Sequence, residues 1–216
     1  MDLTQHPEIS PFPETVNLPV VTISRQLGSR GNEVAEIAAQ LLGFRCVSRE
    51  VINQAARKAN APQAALAAID ELGLLDACPS PKECRAYHEA VRGVIIELAE
   101  QGNIIIVGRA SQVILHDRPQ TIHVRIIAPL EDRVRRLTAL HKISPSAALA
   151  QIETSDRYHH HYLRRYYHAR WEDPQLYDLV INTGRVSPED AAFLIQQAVQ
   201  HLHLSIKSAT RRTSQP

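Results

Sequence analysis

Cysteine is scarce in this chain, with only Cys46, Cys78 and Cys84 among 216 residues. A small, odd number excludes a disulfide framework and predicts a reducing compartment. No apolar run is long enough to cross a bilayer. Residues 1–17 carry Pro7, Pro11 and Pro13 and lack the basic start and apolar centre of an export signal. Together these absences predict a cytoplasmic protein with no membrane partner. Charge of one sign is missing too, because the formal net charge is only +1. A protein devoted to coating nucleic acid carries a larger positive excess.

What is present suits one folded domain. Hydrophobic residues make up 44% and charged residues 22%, enough for a sizeable core at this length. The positive charge is bunched at Arg133, Arg135 and Arg136, then at Arg157, Arg164, Arg165 and Arg170. Local clusters in a near-neutral chain fit a small anionic ligand better than a long polyanion. Oligomeric state carries no sequence signal.

Residues 1–17 and 205–216 read as tails around a domain at 18–204. Strand and helix signals alternate between them. Val20 to Arg25 is a β-branched strand, followed by a helix from Gly31 to Leu42 with Val34, Ile37, Ala38, Leu41 and Leu42 on one face. Gly43 closes it. Phe44 to Val47 is a second strand. Helices are expected at Glu50 to Ala59 and Ala64 to Leu75, then a break at Pro79 and Pro81. A long helix, Lys82 to Gln101, turns Tyr87, Val91, Val94, Ile95 and Leu98 inward. Asn103 to Val107 is a continuous apolar strand of the kind buried inside a parallel sheet. Thr121 to Ala128 is a fourth strand and Leu130 to Leu140 a basic helix. Another helix starts at Ser144-Pro145 and runs in broken form towards Trp171. Tyr177 to Asn182 is a fifth strand, and Ser187 opens a helix over Ala191 to Leu204. Five strands separated by helices predict an α/β fold, an open parallel sheet covered on both faces. Ligands bind such sheets beyond the carboxyl ends of the strands. Those ends are Ser24 to Gly31, Ser48 to Glu50, Gly108-Arg109, Ala128-Pro129 and Asn182-Thr183.

The first of them leads from a strand through Gly28 and Gly31 into a helix. Such a turn presents unpaired amides and a positive dipole end to an anion, although ordinary strand-to-helix turns share the pattern. It departs from the phosphate-loop pattern G-x-x-x-x-G-K-[ST]. In that register Arg25 and Arg30 stand at the glycines, Gly31 at the lysine and Asn32 at the hydroxyl residue. Arg25 or Arg30 offers the positive charge in bidentate form, and Ser29 or Ser24 the hydroxyl.

These residues resemble a family. Ser24-Arg25-Gln26-Leu27-Gly28-Ser29-Arg30-Gly31-Asn32-Glu33-Val34-Ala35 is similar to the opening S-R-x-x-G-S-G-G-x-x-I-A of the bacterial cytidylate kinase-like proteins. The similarity continues through 104–110, 128–136, 156–166, Trp171 and 177–183. It implies a three-layer α/β/α P-loop kinase fold with a helical lid. It implies phosphoryl transfer from ATP, with Mg²⁺, to a nucleoside monophosphate such as CMP or dCMP. Carried across, Ser24, Arg25, Gly28, Ser29, Arg30, Gly31 and Asn32 would hold the ATP phosphates, with Ser29 on Mg²⁺. Arg109 would meet the acceptor phosphate beside Ser48, Asp156 and Arg165, and would join Arg30, Arg133 and Arg164 as catalytic charges. Arg30 departs from a usual glycine, Asn32 from a frequent arginine, Ser48 from an aspartate and His159 from an arginine. A nucleotide-binding sensor without turnover is therefore the alternative reading.

The plainer readings stand beside these. Arg133 and Arg136 share a helix face, and Glu131 and Asp132 could balance them as a solvated surface. Arg164 and Arg165 among Tyr162, Tyr166 and Tyr167 read as arginines outward and tyrosines inward, or as a nucleic-acid stacking surface. His159, His160 and His161 are consecutive on a helix and cannot share one ion. Cys84 and His88 lie one turn apart without a second pair. Cys46 reads as core packing.

Overall fold

The computed structural model describes residues 18–48 and 81–213. Five parallel strands are described: β1 (Val20–Arg25), β2 (Arg45–Val47), β3 (Ile104–Val107), β4 (Thr121–Ile127) and β5 (Leu179–Asn182), in the order β2-β3-β1-β4-β5. Six α-helices are described: α1 (Gly31–Leu42), α2 (Pro81–Gln101), α3 (Ser111–Ile114), α4 (Leu130–His141), α5 (Pro145–Tyr167) and α6 (Pro188–Thr213). The helices expected at 50–59 and 64–75 lie outside the described residues.

β1 is central, paired with β3 through Val20↔Ile104 and with β4 through Ser24↔Arg125. Its side chains alternate between two layers. Val21 and Ile23 pack with Val34, Ala35 and Ala38 of α1 and with Ala191 and Ile195 of α6. Val20 packs on the other face with Tyr87, Val91 and Ile95 of α2 and Leu163 of α5. Ile104, Ile105 and Ile106 are all buried, as covered faces on both sides of a parallel strand require.

Several boundaries differ from the sequence reading, each for a local reason. The buried stripe of α1 is centred on Val34, Ala35, Ala38 and Ala39, whose small side chains admit the sheet closely, and Leu41 is left 45% exposed. Pro81 does not break the chain but begins α2, where a missing N–H costs nothing. α5 is continuous to Tyr167 and stops at His168, whose backbone is left-handed. Ser144 caps its start, the hydroxyl accepting from the Ala147 amide. β5 begins at Leu179 rather than Tyr177, because the Tyr177 amide is taken by the Pro174 carbonyl in closing the 3-10 turn Pro174–Leu176. α6 runs on to Thr213, past Leu204, through a stretch with no glycine or proline to stop it.

Candidate phosphate site at the end of the central strand

β1 ends at Arg25, and the chain turns through 26–30 into α1. The turn is fastened from inside. The Gln26 amide bonds the carbonyl of Ile126, and its side-chain carbonyl accepts from the Ala128 amide. Both the amide and the hydroxyl of Ser29 donate to the Gln26 carbonyl, the hydroxyl at 2.7 Å. Ser29 is fully buried. The hydroxyl expected to face Mg²⁺ is thereby engaged within the turn. Gly28 has φ +82°, and a Cβ there would lie 2.7 Å from Leu137 of α4. Gly31 starts α1 beneath the Arg25 side chain, where a Cβ would collide with the aliphatic stem. The cap residue Arg30 is itself left-handed at φ 59° and supplies no side-chain cap. The first amides of α1, which have no partner within the helix, thus receive no side-chain cap from Arg30.

The turn is also clamped from outside. Arg133 Nε donates to the Leu27 carbonyl at 2.9 Å. Its two Nη atoms donate to one Asp156 oxygen, each at 2.8 Å. Arg136 donates to the carbonyls of Gly28 and Thr183, and the Thr183 hydroxyl donates to the Ser29 carbonyl at 2.7 Å. Arg135 points away and pairs with Asp132. The expected shared face of Arg133 and Arg136 is thus seen, but Arg133 is only 3% exposed and is spent on protein groups. Burial lowers its pKa, offset by Asp156, and burial raises that of Asp156.

The remaining expected residues are placed as follows. Arg25 donates from Nε to the Asn32 side-chain carbonyl at 3.0 Å, and its Nη1 lies 3.2 Å from where a Cβ on Gly108 would stand. Its guanidinium therefore spans the ends of β1 and β3. Arg109 follows at the end of β3 within a corner of three left-handed residues, Gly108 (φ 80°), Arg109 (φ 55°) and Ala110 (φ 54°). Arg30 is exposed and forms a two-bond pair with Glu33, at 2.7 and 2.6 Å. Ser48 lies half-buried just beyond β2. Arg164 and Arg165 are exposed near the end of α5, Arg165 over the Tyr166 ring, while Tyr162 is buried. Arginines outward and tyrosines inward is thus the arrangement seen. Asp156, by contrast, is brought to the turn by Arg133.

A buried polar layer lies under the site, with little trace in the sequence pattern. The Trp171 indole N–H donates to the Ser24 hydroxyl at 2.9 Å, closing off Ser24. Arg125 lies 4.5 Å over the Trp171 ring and donates to its carbonyl, which also accepts from the Tyr177 hydroxyl. Thr22 and His123 bond at 2.7 Å. Arg125 and His123 sit inside a strand otherwise built of apolar residues, and that polar interruption was the available clue. His159 stacks on Trp171 with ring centroids 4.6 Å apart. Cys46 is a half-buried free thiol whose pKa burial raises, as a packed cysteine should be. Among the described residues no three His, Cys, Asp or Glu side chains gather to hold a metal, and no helix is long and apolar enough to cross a membrane.

Comparison with known proteins agrees with this geometry. The model of the cytidylate kinase-like family matches residues 20–185. The cytidylate kinase of Sulfolobus acidocaldarius is 31% identical over 107 residues, covering 50% of this chain and 58% of that protein. The cytidylate kinase of Ignicoccus hospitalis is 27% identical over 170 residues, covering 79% of this chain and 92% of that protein. For most of the curated relatives compared, the match spans about half of their length. Among solved structures, an uncharacterised protein from Eubacterium ventriosum superposes with TM-score 0.68 at 21% identity, covering 84% of this chain and 98% of that one. The shikimate kinase of Bacteroides thetaiotaomicron gives 0.51 at 11% identity, with 84% and 98% covered. These likenesses show the fold, the α/β arrangement of the P-loop kinases.

Proposed function

The chain belongs to the cytidylate kinase-like family, and from that premise we propose that it transfers the γ-phosphoryl group of ATP to a nucleoside monophosphate of the CMP or dCMP type. The observation that carries the reading is the convergence of Arg25, Arg109 and the 26–31 turn at the carboxyl end of the central strand. Phosphoryl transfer asks a protein for positioning and positive charge rather than covalent help. The open amides at the start of α1 bind the ATP phosphates. Arg25, between β1 and β3, does what the lysine of an ordinary phosphate loop does, with a fork suited to two phosphate oxygens. Arg109 meets the acceptor phosphate. Arg133, Arg136 and Thr183 keep the turn in shape without touching the ligand.

ATP supplies the activated phosphoryl group, and Mg²⁺ bound to its phosphates neutralises the charge that builds on them. The residues present fit the polyphosphate. For the metal, the Ser29 hydroxyl is committed to Gln26 and the Asn32 side-chain carbonyl to Arg25, so Mg²⁺ would be held chiefly by the phosphates. A small nucleotide is the partner proposed here, with the cytosol as its place.

A second reading has one observation in its favour. Arg30, the other candidate cation of the turn, is paired with Glu33, which leaves the turn with less positive charge to offer a phosphate. On that reading the chain binds nucleotide as a sensor without turnover. Purified protein incubated with ATP, Mg²⁺ and a panel of monophosphates decides between them. ADP released in step with one acceptor supports the kinase. A thermal shift with nucleotide and no ADP supports the sensor.

A further inference from the structure

His159 sits on α5 where its ring is held at one face and one edge. One face stacks on Trp171, at 4.6 Å and 13° between planes. Nδ1 lies 2.7 Å from the Ser155 carbonyl. A carbonyl can only accept, so Nδ1 carries the proton and Nε2 is left as a lone-pair acceptor. The ring is therefore fixed in direction and in tautomer.

The charges within reach of this ring come from three elements. Arg25 approaches from the end of β1, Arg109 from the end of β3, and His160 from α5 itself. Among the described residues near it, Asp156 bonds Arg133, and Glu172 pairs with His160 at 2.7 Å and lies 3.9 Å from Arg125. A neutral imidazole is thus parked among cations, and burial with Arg25 and Arg109 holds its pKa at about 4. A phosphate monoester dianion held by Arg109, beside the ATP-binding Arg25, reverses that balance. It cancels their repulsion and offers an oxygen that a protonated Nε2 can bond.

We propose that His159 is a third contact for the acceptor phosphate, and that it takes up a proton from solvent as the monophosphate binds. This rests on the reading of Arg109 as the contact of the acceptor phosphate. It adds that the site recognises a dianion by acquiring a charge it does not hold when empty. The sign follows from linkage. The free protein leaves His159 neutral over the physiological range and the complex protonates it. Its contribution to affinity is fullest at low pH and is lost as pH rises through the pKa of the complex, by at most about tenfold per pH unit for one proton.

The test is calorimetric titration with CMP, AMP, GMP, UMP and dCMP at several pH values, in non-phosphate buffers of different ionisation enthalpy. Wild type is compared with His159→Gln and His159→Arg. The ligand's own ionisation is common to all three proteins and cancels in the comparison. Expected is an uptake of several tenths of a proton in wild type beyond that of either variant, with a flatter affinity profile in His159→Arg, whose charge is permanent. Monophosphate binding with equal proton uptake in wild type and both variants overturns the role of His159 and leaves the phosphate site standing. Wild type that binds none of the five monophosphates overturns both. Should His159→Gln fail to fold, His159→Arg carries the comparison alone, and a proton uptake equal to wild type in that variant overturns the proposal.

Discussion

Arg133 and Asp156 meet across α4 and α5, two guanidinium nitrogens each 2.8 Å from one carboxylate oxygen. Burial is the largest influence on both groups, lowering the pKa of the arginine and raising that of the acid. The pair therefore sits at a desolvation cost, and its value lies in what it holds. Removing one partner is expected to cost about 3 kcal/mol, because the other is left buried and unpaired. Urea unfolding of Asp156→Ala, of Arg133→Met and of the Arg133→Met/Asp156→Leu double variant checks this. The double variant should lose less stability than Asp156→Ala does. It should still bind ATP more weakly, having freed the Leu27 carbonyl.

Thr183 is expected to act on the phosphate turn at a distance. Its hydroxyl holds the Ser29 carbonyl and its own carbonyl takes the Arg136 fork. Thr183→Val keeps the shape and loses the hydroxyl. The expected loss is about 1 kcal/mol of stability, with weaker ATP binding and unchanged monophosphate binding in separate titrations.

Arg25→Ala is expected to weaken ATP binding about tenfold or more, the scale of a lost charge-assisted contact, while the protein stays folded. Arg25→Lys should recover only part of that, since an ammonium cannot reach Asn32 and two phosphate oxygens from one fixed plane. Equal affinities for wild type and Arg25→Ala would remove Arg25 from the site.

His88 lies among Tyr87, Tyr162 and Tyr166, 4.0 Å from the last ring, and neither of its buried nitrogens has a hydrogen-bond partner. Burial, with Arg109 adding to it, pulls its pKa down to about 4. The folded state therefore binds fewer protons than the unfolded chain between that value and the ordinary histidine range. Its contribution to stability is present above the ordinary range and is lost as pH falls through it towards 4. His88→Phe should raise the melting temperature at pH 7 by about 2–4 °C, the equivalent of roughly 1 kcal/mol. It should also flatten the loss of stability on acidification. A melting temperature lowered by this change would show that a hidden partner satisfies the imidazole.

The order of strands and helices was legible because each signal was local. The β-branched run 20–23, the isoleucines of β3 and the Ser144-Pro145 cap need no distant partner to be read. The turn after β1 was legible as a position, but not in its wiring. Nothing in Gln26-Leu27-Gly28-Ser29 says that the serine faces inward, since that is decided by Gln26, by Thr183 and by Arg133, residues up to 154 positions apart. Arg133 was read as a charge near the ligand for the same reason, its partner Asp156 lying on another helix. Trp171 carries no local sign of its role, although it joins Ser24, Arg125 and His159. Such buried polar contacts have no period along the chain and so leave no pattern to find.

The corner that follows β3 sets Arg109 and Ala110 in a conformation that costs side-chain-bearing residues on the order of 1 kcal/mol each. A chain selected only for ease of folding would carry glycine or asparagine at both places. Glycine at 110 should accordingly make the protein hardier at no loss. Glycine at 109 should relieve the same twist and yet be a poor exchange, because the relief would come at the expense of the guanidinium carried at that corner.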